Sequence, residues 1–337
     1  MTRRPMRRVL ITGGAGFIGS HLAEHLHAQG YEVTTLDDLS TGSRANLDHL
    51  LHRERFRFVE GSVLDRDLTA RLVAASDAVF HMAAAVGVKL IVERPLASLL
   101  TNIQGTENVL DAAADTGVTV LVSSTSEIYG KSSKTPIEED DDRLLGPTSR
   151  PRWSYSTAKA VDEILAFGYH RDRGVPAVVA RLFNTVGPRQ TGRYGMVLPR
   201  LIGQALRGQP LTVYGDGTQS RVFTYVGDVV EALTRLMALE GAAGKAFNVA
   251  GREEVTINEL AHRVLARTRS TSTIVHVPFA DVYGDGFEDV PRRVAATSKL
   301  EQATRYRCET PLDDVIDRVI AHERRSMAAQ LNAQEDI

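Results

Sequence analysis

A tyrosine and a lysine four residues apart, Tyr155 and Lys159, stand in the run WSYSTAK and could together transfer a proton. On a helix, residues at this spacing lie on one face, so both side chains can meet one hydroxyl group. A free phenol has a pKa of roughly 10, which is too high for a base at neutral pH. The neighbouring ammonium would favour phenolate; lowering that pKa by about three units requires about 4 kcal/mol of differential interaction. The pair predicts a base that serves in the oxidation of an alcohol.

The N-terminal region has the pattern of a dinucleotide-binding unit. Residues 8–12, RVLIT, are typical of a buried strand, and a glycine-rich turn leads from them into the helical run SHLAEHLHAQG. Gly13 permits a tight turn, Gly16 leaves space for a pyrophosphate, and Gly19 lets the helix pack closely on the strand. Phe17 and Ile18 complete the turn at the helix N-terminus, where free N–H groups favour phosphate. We predict that these five residues bind the cofactor.

Acidic residues after the next two strands extend this prediction. Asp37 ends the strand EVTTL about twenty residues past the turn, as expected for a carboxylate that binds an adenosine ribose. It disfavours a 2′-phosphate and so favours NAD over NADP, although Arg44 nearby could accommodate that phosphate. A helix cap or a turn is the other interpretation of Asp37. Asp65 could contact adenine or cap the helix DLTARLVAA, and both roles stay open.

The composition favours an ordinary soluble globular chain. The chain has 337 residues, 43% of them hydrophobic and 24% charged, which allows one large or two modest domains. A net charge of -2 gives no support to nucleic-acid binding. No apolar stretch approaches membrane-spanning length and the basic start lacks a secretory pattern, so we expect no membrane partner and a cytoplasmic location. The single Cys308 excludes an intrachain disulfide and a cysteine-cluster metal site.

Alternating strand-like and helical runs up to residue 184 predict an α/β fold with a Rossmann-type doubly wound parallel sheet. Ligands of such sheets bind beyond the carboxyl ends of the strands. The later segments predict a smaller mixed α/β C-terminal substrate lobe. We assign residues 1–184 to the NAD-binding domain, with 223–251 returning to it, residues 185–222 and 252–325 to the lobe, and 326–337 to a C-terminal tail.

The chain resembles the extended short-chain dehydrogenase/reductase family, whose members modify nucleotide sugars with NAD. The matching motifs run in the family's order from residue 11 to about residue 251: TGGAGFIG, LDDLSTG, HMAA, TNIQGTENVL, SSTSEIYG, YSTAK, RLFNTVGPRQ, LTVYGDGTQSRVFTYVGDV and FNVAG. The resemblance implies that the Thr125 hydroxyl assists Tyr155 and that Lys159 binds the nicotinamide ribose.

The resemblance also implies further binding residues. Those near the cofactor are Ala83, Asn102 and Ser124; those holding the diphosphate and ribose of the sugar nucleotide are Asn184, Arg189 and Arg221; those nearer the base are Val197 and Tyr214. Arg193, Arg200 and Arg207 are expected to be solvated charges. Relatives form homodimers through the helices around TENVLDAAADT and YSTAKAVDEILAFGYH, although burial within one monomer explains their apolar pattern equally well.

The run Thr125, Ser126, Glu127 favours one branch of this family. Members share oxidation at sugar carbon 4 and differ in what the 4-keto intermediate does next. The run resembles UDP-glucuronate decarboxylases and also GDP-mannose 4,6-dehydratases. Arg293 stands where the decarboxylases carry an arginine for the substrate carboxylate, with Arg292 as the neighbouring candidate. A surface salt bridge to residue 288 or 289 is the structural alternative for Arg293.

The expected activity is therefore that of an NAD-dependent UDP-glucuronate decarboxylase. Oxidation at carbon 4 makes a β-keto acid, whose ketone accepts the electrons as carbon dioxide leaves. In this hypothesis Tyr155 is the base, Arg293 and Ser126 orient the carboxylate, and Glu127 acts in decarboxylation or in moving protons to the enolate. The product is UDP-xylose or a released UDP-4-keto-pentose.

Alternative functions stay open at this point. They are a nucleotide-sugar 4-epimerase, a 4,6-dehydratase of the UDP-glucose or GDP-mannose type, and a non-catalytic NAD-sensing regulator. The run MAAAVGVKLIVERPLASLL departs from the loop of the decarboxylases, which leaves another hexose nucleotide open as the substrate.

Overall fold

A computed structural model describes residues 6–85, 95–192, 196–284 and 288–335. Residues 86–94, part of the run MAAAVGVKLIVERPLASLL singled out above, lie outside the described residues. The strands are β1 (Arg8–Thr12), β2 (Glu32–Asp37), β3 (Phe56–Glu60), β4 (Ala78–His81), β5 (Thr119–Thr125), β6 (Ala177–Leu182), β7 (Thr185–Val186), β8 (Leu211–Tyr214), β9 (Ser220–Val222), β10 (Thr224–Tyr225), β11 (Ala246–Val249), β12 (Glu254–Thr256), β13 (Ile274–Val277) and β14 (Arg292–Arg293). The helices are α1 (Phe17–Ala28), α2 (Arg66–Ala74), α3 (Pro95–Thr116), α4 (Ser154–Arg173), α5 (Val197–Leu206), α6 (Val226–Ala238), α7 (Ile257–Thr268), α8 (Phe279–Tyr283), α9 (Ser298–Thr304) and α10 (Leu312–Glu335).

Seven strands form one parallel sheet in the order β3–β2–β1–β4–β5–β6–β11. This arrangement confirms the predicted doubly wound sheet. The strand order reverses between β1 and β4, so the loops that follow these two strands diverge and leave a crevice at their carboxyl ends. The glycine-rich turn after β1 lies at that crevice.

Both faces of the sheet are covered because the central strands are apolar at consecutive positions. In β1, Val9 and Ile11 belong to the core beneath α1 and α6, which includes Leu22. Leu10, between them, points to the opposite core, which α2, α3 and α4 cover and which includes Leu110. The continuous hydrophobic run in the sequence is therefore the signature of a strand buried on two sides.

The smaller lobe has a separate hydrophobic core. Its buried residues come from α5, α7, α10 and strand β8, and include Leu201, Leu211, Leu260 and Ile316. Strands β12, β9 and β14 form a small sheet, and β8 pairs with β13. Helix α10 continues to Glu335, past residue 325, where the sequence predicts the start of a tail.

Among the described residues, no helix combines the length and the apolar character that crossing a bilayer requires.

A buried ion pair joins β6 to α4 just behind the crevice. The Arg181 guanidinium donates to both carboxylate oxygens of Glu163, with its Nη2 2.7 Å from Oε2, and also to the Tyr129 hydroxyl at 2.8 Å. Arg181 and Glu163 are 8% and 4% exposed. Glu163 also accepts a hydrogen bond from the Ser124 hydroxyl, which ties the end of β5 into this network.

We expect Arg181→Met to destabilise the fold by about 3–5 kcal/mol, because it leaves the Glu163 charge buried and uncompensated. Urea unfolding measures the free-energy change. The control is Arg171→Met, which removes an exposed ion pair with Asp172 and should leave the free energy of unfolding close to that of the wild type. Equal losses in the two variants would contradict the role given to the buried pair.

Candidate active site

A cleft of about 840 Å³ opens at the carboxyl ends of the sheet strands and extends to the smaller lobe. It brings together most of the residues that the sequence singles out. Those that line it are Gly13, Gly16, Phe17, Ile18, Gly19, Asp37, Ala83, Ser124, Thr125, Ser126, Glu127, Tyr155, Lys159, Asn184, Arg189, Val197, Tyr214, Arg221 and Arg293.

The glycine turn is shaped for a close approach by phosphate. Gly13 has a φ of +70°, and a Cβ on Gly19 would lie 2.1 Å from the Gly13 carbonyl oxygen, so neither position tolerates a side chain. Gly16, as the N-cap of α1, supplies no capping side chain to the first turn of the helix. The backbone N–H groups in the first turn of α1 therefore have no acceptor from a capping side chain, which fits a dinucleotide pyrophosphate.

Asp37 ends β2 at the edge of the cleft and is 8% exposed. Its carboxylate accepts hydrogen bonds from the backbone N–H groups of Ala15 and Leu39, each at 2.9 Å, so it also fulfils the alternative turn role. Burial raises the pKa of Asp37, and these N–H groups oppose the rise. Arg44 lies over the Phe58 ring at 5.8 Å and does not line the cleft. The site therefore fits the unphosphorylated ribose of NAD.

Two predicted cofactor residues lie outside the cleft lining. Asp65 is exposed and caps α2 by accepting a hydrogen bond from the Leu68 N–H at 2.9 Å, so the structure favours the cap over adenine contact. Val63 lines the cleft in this region instead. Asn102 is buried, and its Oδ1 accepts a hydrogen bond from the Ala85 N–H at 2.7 Å. Asn102 therefore holds the segment after β4 and acts behind the cofactor surface.

Tyr155 lies beside Thr125, which forms a hydrogen bond with it. Burial raises the pKa of Tyr155, the carboxylates of Glu127 and Asp162 raise it further, and the Thr125 hydrogen bond opposes the rise. The expectation that Lys159 favours the phenolate therefore needs correction for the chain itself. The Lys159 ammonium donates to the Ser123 carbonyl at 2.9 Å and pairs with Asp162 at 3.2 Å, which offsets its charge.

Glu127 is held between two guanidinium groups. Its carboxylate pairs with Arg293 at 2.5 Å and with Arg152 at 2.6 Å. Burial alone would raise the pKa of Glu127, but Arg293 and Arg152 hold it far below the ordinary range. Glu127 is therefore an anion here, which argues against the expectation that it donates protons in this arrangement. Arg152 was missed by the sequence analysis, although its place three residues before Tyr155 is a usable signal.

The structure distinguishes the two neighbouring arginines of β14. Arg293 is 2% exposed and lines the cleft, whereas Arg292 is exposed and pairs with Glu254 at 2.7 Å. The proposed surface salt bridge of Arg293 is wrong, since residues 288 and 289 pair with Lys131 and Arg221. Within the described part of the chain, Arg293 Nε and Nη2 are buried and have no hydrogen-bond partner.

At the far end of the cleft, Arg200 lies over the Tyr214 ring at 3.9 Å, and Tyr283 packs edge-on against that ring. Both Arg200 and Tyr283 line the cleft, so the expectation of a solvated Arg200 is wrong. Arg207 is exposed and donates to the Gly203 carbonyl of its own helix, as expected. Arg193 lies outside the described residues.

The other predicted substrate residues are held by protein partners. Arg189 pairs with Glu24 of α1 at 2.5 Å, and Arg221 pairs with Asp289 at 2.9 Å. The Asn184 amide donates to the Val222 carbonyl at 2.9 Å. Each of the three lines the cleft from the side of the smaller lobe.

Comparisons with known proteins identify relatives of the chain. Residues 9–250 match the model of the NAD dependent epimerase/dehydratase family. The chain is 44% identical to the UDP-N-acetyl-alpha-D-glucosaminuronate decarboxylase of Bacillus cytotoxicus, over 89% of this chain and 92% of that protein. It is 34% identical to UDP-glucuronic acid decarboxylase 1 of Danio rerio, over 99% of this chain and 77% of that protein.

A solved structure of similar fold is the UDP-glucuronic acid 4-epimerase from Bacillus cereus in complex with UDP-glucuronic acid and NAD. Its TM-score is 0.85 at 27% identity, and the match covers 94% of this chain and 99% of that one. The similarity therefore includes both the sheet and the smaller lobe.

We expect Gly19→Ala to weaken NAD binding by at least about tenfold, or about 1.4 kcal/mol, because the added methyl group displaces the Gly13 turn. Quenching or enhancement of NADH fluorescence measures the affinity. Gly168→Ala is the matched control, since Gly168 also lies in a helix and a Cβ there would meet no atom within 4 Å. The affinity of Gly168→Ala for NAD should stay unchanged. Equal effects on both variants would contradict the role of the turn.

Proposed function

Because the chain belongs to the NAD dependent epimerase/dehydratase family, we propose that it is an NAD-dependent UDP-glucuronate decarboxylase. NAD, when bound, supplies the oxidised nicotinamide that accepts a hydride from carbon 4 of the sugar and can return it. The residues of the chain bind the nucleotide sugar, move one proton and orient a carboxylate.

The observation that carries this proposal is the state of Arg293. Its guanidinium is buried at the cleft, and two of its nitrogens lack a partner among the described residues. An unpaired buried N–H group is costly, and a planar guanidinium accepts a carboxylate in a two-point geometry. The uronate carboxylate is the group of the substrate that fits this requirement. A neutral hexose offers no such anion at that carbon.

Tyr155 removes the proton from the carbon-4 hydroxyl as the hydride departs. Because the pKa of Tyr155 is raised in the chain itself, the phenolate would need a further positive charge nearby, which an oxidised nicotinamide would supply. In this proposal Thr125 stabilises the phenolate through its hydrogen bond, and Lys159, which donates to the Ser123 carbonyl, binds the ribose. The resulting ketone then withdraws electrons from the bond to the carboxylate.

Arg293 and Ser126 orient that carboxylate out of the sugar plane, where the bond to it overlaps the ketone. The two are already neighbours, with Arg293 Nη1 3.4 Å from the Ser126 hydroxyl. Glu127 is an anion beside the same guanidinium, so we propose that it positions Arg293 and destabilises the substrate carboxylate by like-charge repulsion, which is relieved when neutral carbon dioxide leaves. This role replaces direct proton donation by Glu127 in the arrangement described here.

A second candidate substrate carries an acetamido group at carbon 2. The relative of 44% identity is a UDP-N-acetyl-alpha-D-glucosaminuronate decarboxylase, which favours this substrate. Both uronates present the same carboxylate to Arg293, so the reaction is shared. The solved epimerase keeps 4-epimerisation as an alternative fate of the ketone. The meeting of Tyr155, Lys159 and Thr125 in one cleft argues against a non-catalytic regulator.

We expect the purified chain, with NAD, to convert UDP-glucuronate into carbon dioxide and a UDP-pentose, detected by mass. Arg293→Met should lower this activity at least about a hundredfold, because a buried charged hydrogen-bond pair to the carboxylate is worth about 3 kcal/mol. The matched control is Arg292→Met, which removes only the exposed pair with Glu254 and should retain activity.

Three results would contradict the proposal. Formation of a UDP-hexuronate epimer without loss of carbon dioxide would identify an epimerase. Turnover of UDP-glucose but of neither uronate would remove the role of Arg293. Equal activity of Arg293→Met and Arg292→Met would also contradict the role of Arg293.

We also propose a homodimer formed by α3 and α4, in a cytoplasmic enzyme. The two helices lie side by side and expose large apolar side chains, with Leu96 67%, Leu100 44% and Ile164 65% exposed. Such residues on neighbouring helices favour a partner surface. The buried Cys308 suits a reducing compartment.

We expect light scattering to give twice the chain mass of 36.8 kDa for the wild type and a lower mass for Ile164→Glu. The introduced glutamate would place an unpaired carboxylate in the buried interface, which disfavours the dimer. The control is Val275→Glu, an apolar residue 42% exposed on β13, which should leave the mass unchanged. A wild-type monomer would contradict the proposal.

A further inference from the structure

A carboxylate that does not touch the cleft holds the lysine of the active site. Asp162 Oδ2 lies 3.2 Å from Lys159 Nζ, one helical turn along α4. Asp162 is 0% exposed and Lys159 is 1% exposed. Lys159 lines the cleft but Asp162 does not. Asp162 therefore meets neither substrate nor cofactor, and any effect it has on the reaction must pass through another group.

A row of buried polar groups leads from Asp162 back to the cofactor turn. Thr106 lies beside Asp162, His81 Nε2 lies 3.1 Å from the Thr106 hydroxyl, and His81 Nδ1 lies 2.8 Å from the Thr12 hydroxyl. Within the described residues, neither carboxylate oxygen of Asp162 meets hydrogen-bond geometry with a partner, so the Lys159 ammonium is its close charged neighbour. Burial and, to a lesser extent, Lys159 lower the pKa of His81 to about 3, so the ring is neutral.

The Lys159 ammonium is the charged group that favours the ionised form of Asp162. Burial raises the pKa of Asp162, and the Lys159 ammonium and the Thr106 hydroxyl oppose the rise. In the ion pair, the Asp162 carboxylate offsets the charge of the Lys159 ammonium.

We propose that Asp162 is a positioning residue that sets the acidity of Tyr155 by holding Lys159 at the end of β5 and offsetting its charge. The proposal rests on the function inferred above, in which Tyr155 is the base. With Lys159 alone, the phenol would lose its proton at lower pH. With the pair, the phenol keeps enough basicity to accept a proton in oxidation and to return one when the ketone is reduced.

The other charges around this pair are already matched. Glu163 on α4 is paired with Arg181, and Glu127 is paired with Arg293 and Arg152. His81 on β4 is neutral, and Ser123 and Thr125 on β5 contribute neutral groups. Asp162 is therefore the charge whose removal changes the field at Tyr155 without freeing an arginine at the cleft.

The test is Asp162→Asn, which keeps the size of the side chain and removes its charge. The Asp162 carboxylate raises the pKa of Tyr155, so the loss of this charge should lower that pKa. We expect the acid limb of kcat/KM for decarboxylation to move to lower pH by about one unit. In the NAD-bound protein, the Tyr155 ring carbon followed by NMR should titrate at lower pH than in the wild type, with Tyr155→Phe identifying the signal.

The control is Asp228→Asn, which removes a carboxylate that is bonded to Tyr306 and Thr310 and does not line the cleft. Its pH profile should match the wild type. Asp162→Ser also removes the charge and should shift the titration of Tyr155 to lower pH. It tests the proposal if Asp162→Asn does not fold.

An unmoved titration of Tyr155, or a shift to higher pH, would overturn the proposal, and a shift to higher pH would indicate that Asp162 only keeps Lys159 protonated. A wild-type chain without turnover on either uronate would refute the proposed function instead. The NMR titration would still decide the role of Asp162 in that case.

Discussion

The pairing of buried cations with carboxylates is the constraint on which the site depends. Lys159 with Asp162, Arg181 with Glu163, and Arg293 and Arg152 with Glu127 all lie in or directly behind the cleft. Removing such charges from water is costly, and only close partners compensate for the loss. Each pair therefore fixes the place of a side chain that the chemistry uses. Ion pairs therefore fix the positions of the cleft side chains, and hydrophobic packing fixes the helices and strands that carry them.

These pairs also connect elements distant in the sequence. Arg181 on β6 holds Glu163 on α4, which holds Ser124 at the end of β5, and Arg293 from the smaller lobe holds Glu127 next to β5. Residues at the end of β5 and Arg293 from the smaller lobe are thereby held in fixed relative positions. Geometry set in this way exists before the substrate arrives, which is the condition for effective transition-state stabilisation.

The sequence predicted the sheet and the cofactor turn because both depend on local patterns. Continuous apolar runs and glycine spacing are readable without tertiary information, and so is the Tyr155–Lys159 spacing. It could not choose between Arg292 and Arg293, because β14 has two residues and shows no alternation. It missed Arg152 and the stacking of Arg200 on Tyr214, which depend on long-range packing. The sequence pattern predicted a lowered pKa for Tyr155 because it did not identify Asp162 as the partner of Lys159.

The contact between Arg189 and Glu24 has a mechanical consequence. Arg189 follows β7, whereas Glu24 belongs to α1, the helix that starts at the glycine turn; His21 of the same helix also lies 2.9 Å from the Pro188 carbonyl. The segment after β7 is thus connected to the helix that starts at the glycine turn. A displacement of that segment would therefore be transmitted to α1 and to the turn.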